Sequence, residues 1–100
     1  MLMTLEQAAK AADATLLYAA GQEVTLCGAA SDNRKVLPGQ LFAAIPGEKA
    51  DGHDFARAAV QAGAVAVLAQ RDPFGGEPLA PVLLVDDSVA ALGRIGHAWR

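Results

Sequence analysis

The spacing of apolar residues divides this chain into short helices and strands. Near the amino terminus, apolar residues recur at intervals of three and four positions: Leu5, Ala8, Ala9 and Ala12. This spacing predicts a short helix with one buried side. Thr4 and Gln7 stand at its start in the positions of a capping box, which supports the same prediction.

Short apolar runs bounded by turn-forming residues predict the strands of a sheet. They lie at 14–18, 23–29, 41–45, 64–69 and 82–85. In the second run apolar and polar residues alternate, as in a half-buried strand. The third run, LFAAI, is continuously apolar, so we expect it to be covered on both faces.

Two further helices are predicted in the second half of the chain. The first carries Phe55, Ala58, Ala59 and Ala62 at helical spacing. Gly63 would end it. The second carries Val89, Leu92, Ile95 and Trp99 on or near one face. Asp87 would cap its start.

The order of these elements predicts an α/β fold. Strand, helix and strand follow one another between 41 and 69, and parallel pairing is strongly favoured for such a unit. We therefore expect a small mixed, partly parallel sheet flanked by helices. The proline- and glycine-rich segment 71–81 is expected to be a connector without helix or strand.

The length of the chain, 100 residues, suits a single domain over 1–100. The helical pattern near the carboxyl end still runs at Arg100, without a Gly or Pro stop signal. We therefore expect this domain to be one part of a longer protein.

Charge and composition narrow the classes of function. With a formal net charge of -3 the chain has no broad basic surface, so binding to nucleic acid or to an anionic membrane is not expected. No apolar run approaches the ~18 residues that span a bilayer. Cys27 is the only cysteine, and we expect it to be buried and unconnected to a disulfide or a zinc site. These features favour a cytoplasmic protein.

Polar side chains follow two of the predicted strands, in the segments 31–34 and 46–54. Ligands of open α/β sheets bind beyond the carboxyl ends of parallel strands, where both segments are expected to lie. Ser31 and Asn33 can donate and accept hydrogen bonds, and Arg34 offers a planar fork for phosphate or carboxylate. Glycines in the second segment let backbone amides approach a ligand. The pattern favours a site for an anion or a flat polar base.

The same residues also allow a purely structural interpretation. Asp32 and Asn33 can form an Asx turn, with Arg34 paired to a neighbouring carboxylate. His53 can be a surface residue at a helix start, a ligand contact or, least expected, a general base. We find no set of nucleophile, base and metal ligands, so the chain is expected to bind and not to catalyse. A protein-docking module remains an alternative.

The stretch SDNRKVLPGQLFAAIPGEKADGHDF resembles the signature of the amino-terminal domain of Mur ligases. In that signature an (S/T)D(S/T)R segment, a PG-x-LF segment and a DGH segment follow one another at this spacing. AVQAGAVAVLAQR and VDDSVAALGRIGHAWR also correspond in order and spacing, so the resemblance covers nearly the whole chain. These residues are most similar to those of the members that add D-alanyl-D-alanine, and next to those of the members that add the third peptide residue.

The resemblance implies a domain that holds the UDP end of a UDP-N-acetylmuramoyl-peptide in an ATP-dependent peptidoglycan precursor ligase. ATP and magnesium would bind a central domain of the same polypeptide, and no cofactor, metal ligand or catalytic residue is implied here. By position, the contacts to UDP fall on Ser31, Asn33, Arg34, Gly47, Glu48, Lys49 and Ala50. The residues that would shape the loops are Asp32, Asp51, Gly52 and His53. At Asn33 the family more often has Ser or Thr, so a carboxamide contact would replace a hydroxyl contact.

Overall fold

The computed structural model describes residues 3–19, 23–47 and 51–98. In chain order they form strand β1 (Met3–Thr4), helix α1 (Leu5–Ala12), strands β2 (Thr15–Leu17), β3 (Thr25–Leu26) and β4 (Ala29–Ala30), a 3₁₀ helix (Asn33–Lys35), strand β5 (Leu41–Ala43), a second 3₁₀ helix (Gly52–Phe55), helix α2 (Ala56–Gln61), strands β6 (Ala66–Ala69) and β7 (Val82–Leu84), and helix α3 (Ser88–Ala98). None of the helices in these ranges is long and apolar enough to cross a membrane.

Five of the strands form one mixed sheet in the order β2, β7, β6, β5, β4. The strands from β4 to β7 pair in parallel, and β2 pairs antiparallel with β7. Strands β1 and β3 form a separate antiparallel pair. The α/β class and the partly parallel sheet expected from the sequence are confirmed.

The central strands are buried on both faces because helices cover both sides of the sheet. In β5, Leu41 and Ala43 belong to a core cluster that includes α1 and α3 residues. Phe42, between them, belongs to a second cluster with residues of α2 and with Phe74. Successive side chains of a strand point to opposite faces, so each central strand contributes to two cores. This explains the continuously apolar sequence of the strand.

Helix α1 has the start and the buried face that the sequence predicts. Gln7 donates its backbone N–H to the Thr4 hydroxyl at 3.1 Å, and the Gln7 side chain accepts the backbone N–H of Thr4 at 2.9 Å. The buried residues of the helix are Leu5, Ala8, Ala9 and Ala12. The cap satisfies donors that would otherwise be orphaned at the helix start.

The run at 23–29 is split into two strands, contrary to the single strand predicted. Thr25–Leu26 pairs with β1, whereas Ala29–Ala30 pairs with β5 in the main sheet. Cys27 lies between the two and is exposed, so the prediction that it is buried is wrong. Leu26 points into the core, and the alternation along extended chain turns the next side chain outward.

The buried faces of the last two helices also differ from those predicted. Helix α2 buries Ala56 and Ala59, whereas Phe55 is 39% exposed. His53, Ala56 and Ala59 are buried at intervals of three because the segment begins as a 3₁₀ helix, which has three residues per turn.

In α3 the buried residues are Ser88, Ala91 and Ile95, and Val89 is 59% exposed. Two of these three inward-facing side chains are small, and the helix packs against α1. Leu92 is partly buried against the same core. Trp99 lies outside the described residues, so its predicted place on this face stays a prediction.

The connector between β6 and β7 contains no helix or strand, as expected, but it is anchored at Asp72. The Asp72 carboxylate accepts the backbone N–H groups of Phe74 at 2.9 Å and Gly76 at 3.0 Å. It also accepts the hydroxyl of Tyr18, which follows the edge strand β2. Phe74 is inserted into the core beneath this turn. The hydrogen bond from Tyr18 holds the pKa of Asp72 below its ordinary value.

Replacing Thr4 with Ala is expected to lower the free energy of unfolding by about 0.5–2 kcal/mol, because the helix loses its capping acceptor. Thr4→Ser keeps an acceptor and should lose much less. Urea denaturation followed by circular dichroism measures both changes. Equal destabilisation by the two substitutions would contradict the capping explanation.

The anchoring of Asp72 predicts a pH dependence of stability. A carboxyl group whose pKa is lower in the folded protein stabilises the fold above its unfolded pKa, near 4, and loses that contribution as the pH falls through the lower folded pKa. Asp72→Asn should therefore reduce the loss of stability between about pH 5 and pH 2. Urea denaturation across this range is the measurement, and an unchanged pH profile in the variant would show that Asp72 is not the group responsible.

Candidate functional site

The parallel strands end at one edge of the sheet. The segments that follow β4, β5, β6 and β7 begin at residues 31, 44, 70 and 85. Parallel strands place their carboxyl ends together, so these segments are neighbours although they are far apart in sequence. Both polar segments singled out from the sequence are among them.

A groove of about 490 Å³ lies between the segments that follow β4 and β5. It is lined by Ser31, Asp32, Asn33, Arg34, Ile45, Gly52 and Phe55. The two predicted loops therefore meet at a shared depression, on the same side of the fold. Gly47 is exposed and is not among the lining residues, and Glu48, Lys49 and Ala50 lie outside the described residues.

The first loop is ordered by Asp32 and presents Arg34 to solvent. The Asp32 carboxylate accepts the backbone N–H of Arg34 at 2.9 Å and caps the 3₁₀ helix. It also accepts Nε and Nη2 of the Arg34 guanidinium, each at 3.1 Å. The Asx turn and the neighbouring ion pair of the structural interpretation are thus both present at Asp32. The side-chain hydrogen bond from Arg34 holds the pKa of Asp32 below its ordinary value.

This ion pair leaves Arg34 able to bind an anion. The Arg34 side chain is 83% exposed, and exposed ion pairs contribute only about 0–1 kcal/mol. The guanidinium can therefore be turned toward a phosphate group at little energetic cost. Beside it, neither the Ser31 hydroxyl nor the Asn33 carboxamide forms a side-chain hydrogen bond to another described residue. Both groups remain available to a ligand in the groove.

The second loop is held from inside by His53, which is only 3% exposed. Its Nε2 atom accepts the backbone N–H of Gln70 at 2.9 Å, so the proton of a neutral ring lies on Nδ1. Nδ1 donates to Asp51 Oδ1 at 2.6 Å, and the same oxygen accepts the His53 backbone N–H at 2.9 Å. A buried ring with both nitrogens occupied shapes the loop; the surface position and the general-base role considered from the sequence do not fit it.

Asp51 is the polar centre of this loop. Its second oxygen accepts Nη1 of Arg71 at 2.8 Å. Hydrogen bonds from the backbone and ring of His53, and then from Arg71, hold the pKa of Asp51 well below its ordinary range. The carboxylate therefore stays ionised and keeps its acceptor role at neutral pH.

Gly52 lines the groove at a position where no side chain fits. Its N–H donates to the Ile45 carbonyl at 3.0 Å. A Cβ atom would lie 2.5 Å from the backbone nitrogen of Ile45 and 2.9 Å from its carbonyl oxygen. Both contacts are with backbone and cannot be relieved by a side-chain rotation. The close approach of Gly52 to the Ile45 backbone, within the segment that follows β5, thus requires glycine.

Two lining residues, Ile45 and Phe55, were not among the site residues predicted from the sequence. Phe55 was assigned to the buried face of α2, yet it is 39% exposed and lines the groove. Its position directly after the DGHD segment was the only available signal. The groove thus combines hydrogen-bonding groups, a guanidinium and an aromatic ring. Within the described residues, no three His, Cys, Asp or Glu side chains are placed to hold a metal ion.

The chain is similar in sequence to ligases of cell-wall precursors. The family model described as "Mur ligase family, catalytic domain" matches residues 23–100. The chain is 34% identical over 96 residues to "UDP-N-acetylmuramoyl-tripeptide--D-alanyl-D-alanine ligase" of Bacillus subtilis, covering 96% of this chain and 21% of that protein. It is 39% identical over 79 residues to "UDP-N-acetylmuramoyl-L-alanyl-D-glutamate--2,6-diaminopimelate ligase" of Chlorobaculum tepidum, covering 79% of this chain and 16% of that protein.

Solved structures show the same fold. A crystal structure of MurF from Acinetobacter baumannii superposes with a TM-score of 0.84 at 24% identity, covering 98% of this chain and 21% of that one. A MurF ligase from Thermotoga maritima in complex with ADP gives a TM-score of 0.58 at 31% identity, covering 67% of this chain and 15% of that one. The chain thus spans about a fifth or less of the length of these relatives.

Replacing Gly52 with Ala is expected to lower the free energy of unfolding by about 1–3 kcal/mol, because the added methyl group meets the Ile45 backbone. The amide NMR signals of Ile45 and His53 should shift. Gly93→Ala is the matched control, since nothing lies within 4 Å of a Cβ there and Ala favours the helix. Denaturation and amide spectra that change equally in the two variants would rule out the close approach at Gly52.

Proposed function

Since this chain belongs to the Mur ligase family, we propose that it holds the nucleotide end of a UDP-N-acetylmuramoyl-peptide within a peptidoglycan precursor ligase. The groove between the two loops carries the proposal. It combines the Ser31 hydroxyl and the Asn33 carboxamide, whose side chains form no hydrogen bond to another described residue, with an exposed guanidinium at Arg34.

Each part of the groove suits a different part of UDP. Arg34 can form two parallel hydrogen bonds to a phosphate group. Uracil presents two acceptors and one donor at its edge, which the Ser31 hydroxyl, the Asn33 carboxamide and nearby backbone groups can match. A base with a different edge would leave buried polar groups unpaired, and this gives discrimination. Phe55 offers an apolar surface of the kind on which bases stack.

Gly47, Glu48, Lys49 and Ala50 are proposed as the remaining contacts, on the strength of the resemblance alone. Lys49 would add a positive charge near the diphosphate. Asp32, Asp51, Gly52 and His53 are proposed to shape the loops, and their hydrogen bonds or close packing support this role.

The parent enzyme is proposed to be a ligase of the MurF type, which joins D-alanyl-D-alanine to the UDP-linked tripeptide. The similarity to the Bacillus subtilis enzyme and to the solved MurF ligase of Thermotoga maritima supports this choice. A ligase of the MurE type, which adds the third peptide residue, is the second candidate. It is favoured by the 39% identity to the diaminopimelate ligase of Chlorobaculum tepidum. The added groups lie far from the uridine end, so the groove does not distinguish the two.

Catalysis is proposed to take place in other domains of the parent enzyme. There a central domain would bind ATP and magnesium, and this chain alone would be inactive. The alternative of a protein-docking module would require an apolar patch at the two loops, whereas four of the seven groove residues are polar. The cytoplasmic location and the lack of a nucleic-acid or membrane partner stay predictions.

Titration with UDP is expected to shift the amide NMR signals of residues 31–34, 51–53 and 55. Arg34→Ala should weaken UDP binding by roughly 10- to 100-fold, because hydrogen bonds to charged groups contribute about 1.5–3 kcal/mol. Lys35→Ala is the matched control: Lys35 is an exposed cation of the same 3₁₀ helix that does not line the groove.

The control variant should change the dissociation constant less than about twofold, since a nearby exposed charge contributes only through screened attraction. Saturating UDP that moves none of the groove signals would refute the nucleotide assignment. An equal loss of affinity in both variants would show that net charge, and not the Arg34 fork, is responsible.

A further inference from the structure

We propose that Gln70 and Arg71, which follow β6, are positioning residues for the groove: they fix the turn Asp51–His53 and thereby seat Gly52 against Ile45. Neither residue lines the groove. The sequence placed Arg71 in the connector 71–81, and Gln70 lay between that connector and the strand predicted at 64–69. The importance of the groove rests on the proposed function, but the positioning contacts all lie within this chain.

The first contact is the backbone N–H of Gln70, which donates to Nε2 of the buried His53 ring at 2.9 Å. Because β6 lies inside the sheet, this donor has a fixed position. It determines the orientation of the ring and selects the tautomer that carries its proton on Nδ1. That proton is then directed at Asp51 Oδ1, 2.6 Å away.

The second contact is the Arg71 guanidinium, which donates to Asp51 Oδ2 at 2.8 Å. Oδ1 is held by His53 and Oδ2 by Arg71. The carboxylate therefore cannot rotate about its Cβ–Cγ bond without losing a charge-assisted hydrogen bond. Asp54 Oδ1 lies 4.0 Å from Nη2 and is a second carboxylate near this guanidinium. Arg71 therefore sets the direction of Asp51, and Asp51 in turn caps the 3₁₀ helix that contains Gly52.

A third contact ties this arrangement to α3. The Gln70 side chain accepts the backbone N–H of Ser88 at 2.9 Å. The residues following β6 thus connect the start of α3 with the loop that follows β5. Gly52 lies so close to Ile45 that a Cβ would be only 2.5 Å from the Ile45 nitrogen. The turn therefore has little room to move toward Ile45.

The exposure of the Arg71 pair distinguishes positioning from general stabilisation. The Arg71 side chain is 56% exposed, and such pairs contribute little to global stability. Removing the guanidinium should therefore leave the fold intact and change the orientation of the turn. The variant to compare is Arg57→Ala, because Arg57 forms a similarly exposed pair with Glu77 at 3.3 Å, away from the groove.

The test measures amide spectra, the Asp51 titration and UDP affinity in Arg71→Ala, Arg71→Lys, Gln70→Ala and Arg57→Ala. Arg71→Ala should shift the amide signals of Ile45, Gly52 and His53. It should also raise the pKa of Asp51 toward its ordinary value and weaken UDP binding by about three- to fivefold. Arg71→Lys should resemble the unmodified chain in most of these measurements, because a lysine keeps the positive charge. Gln70→Ala should shift the signal of Ser88, because it removes the side-chain acceptor, and should keep the contact to His53, which the backbone N–H forms.

The proposal is overturned if Arg71→Ala leaves the groove signals and the Asp51 titration unchanged, or if Arg57→Ala alters them to the same extent. Failure of the proposed function would look different. If the groove signals and the Asp51 titration respond as expected but the unmodified chain does not bind UDP, the positioning role stands and the nucleotide assignment fails.

Discussion

The parallel pairing of β4, β5, β6 and β7 is the constraint on which the rest of the structure depends. It brings the carboxyl ends of four strands to one edge of the sheet, so that segments far apart in sequence become neighbours. The pairing is stable because alternate side chains of the central strands enter two cores, one containing α1 and α3 and the other containing α2. The loop after β5 therefore stands on a strand that is buried on both faces, whereas the loop after β4 follows an edge strand.

The two loops of the groove are held by interactions of different strength. The loop after β5 rests on a buried imidazole with both nitrogens occupied and on a glycine in contact with backbone. The loop after β4 is exposed, and among the described residues Arg34 is paired only with its neighbour Asp32. Buried hydrogen bonds are expensive to break, whereas exposed ion pairs exchange easily. The groove thus has a rigid side and an adaptable side, which suits a ligand with a flat base and a charged diphosphate.

We propose that binding and catalysis lie in different domains of the parent enzyme. The chain spans about a fifth or less of the length of its ligase relatives. In that proposal, this domain would contribute recognition energy from a part of the substrate remote from the bond that the ligase forms. Such remote binding energy can be used to orient the substrate for reaction elsewhere.

The sequence alone determined the features that depend on neighbouring residues, namely the capped helix α1 and the buried strands β5, β6 and β7. It also indicated the family, which the match of the family model to residues 23–100 confirms. It placed both polar loops at the correct edge, because parallel pairing follows from the order of the elements. Only the tertiary structure decided how 23–29 divides between two sheets, which face of α2 is buried, and that Arg71 reaches Asp51 twenty positions earlier. Periodicity records how buried each residue is, but not which distant segment covers it, and that choice is made by packing across the whole domain.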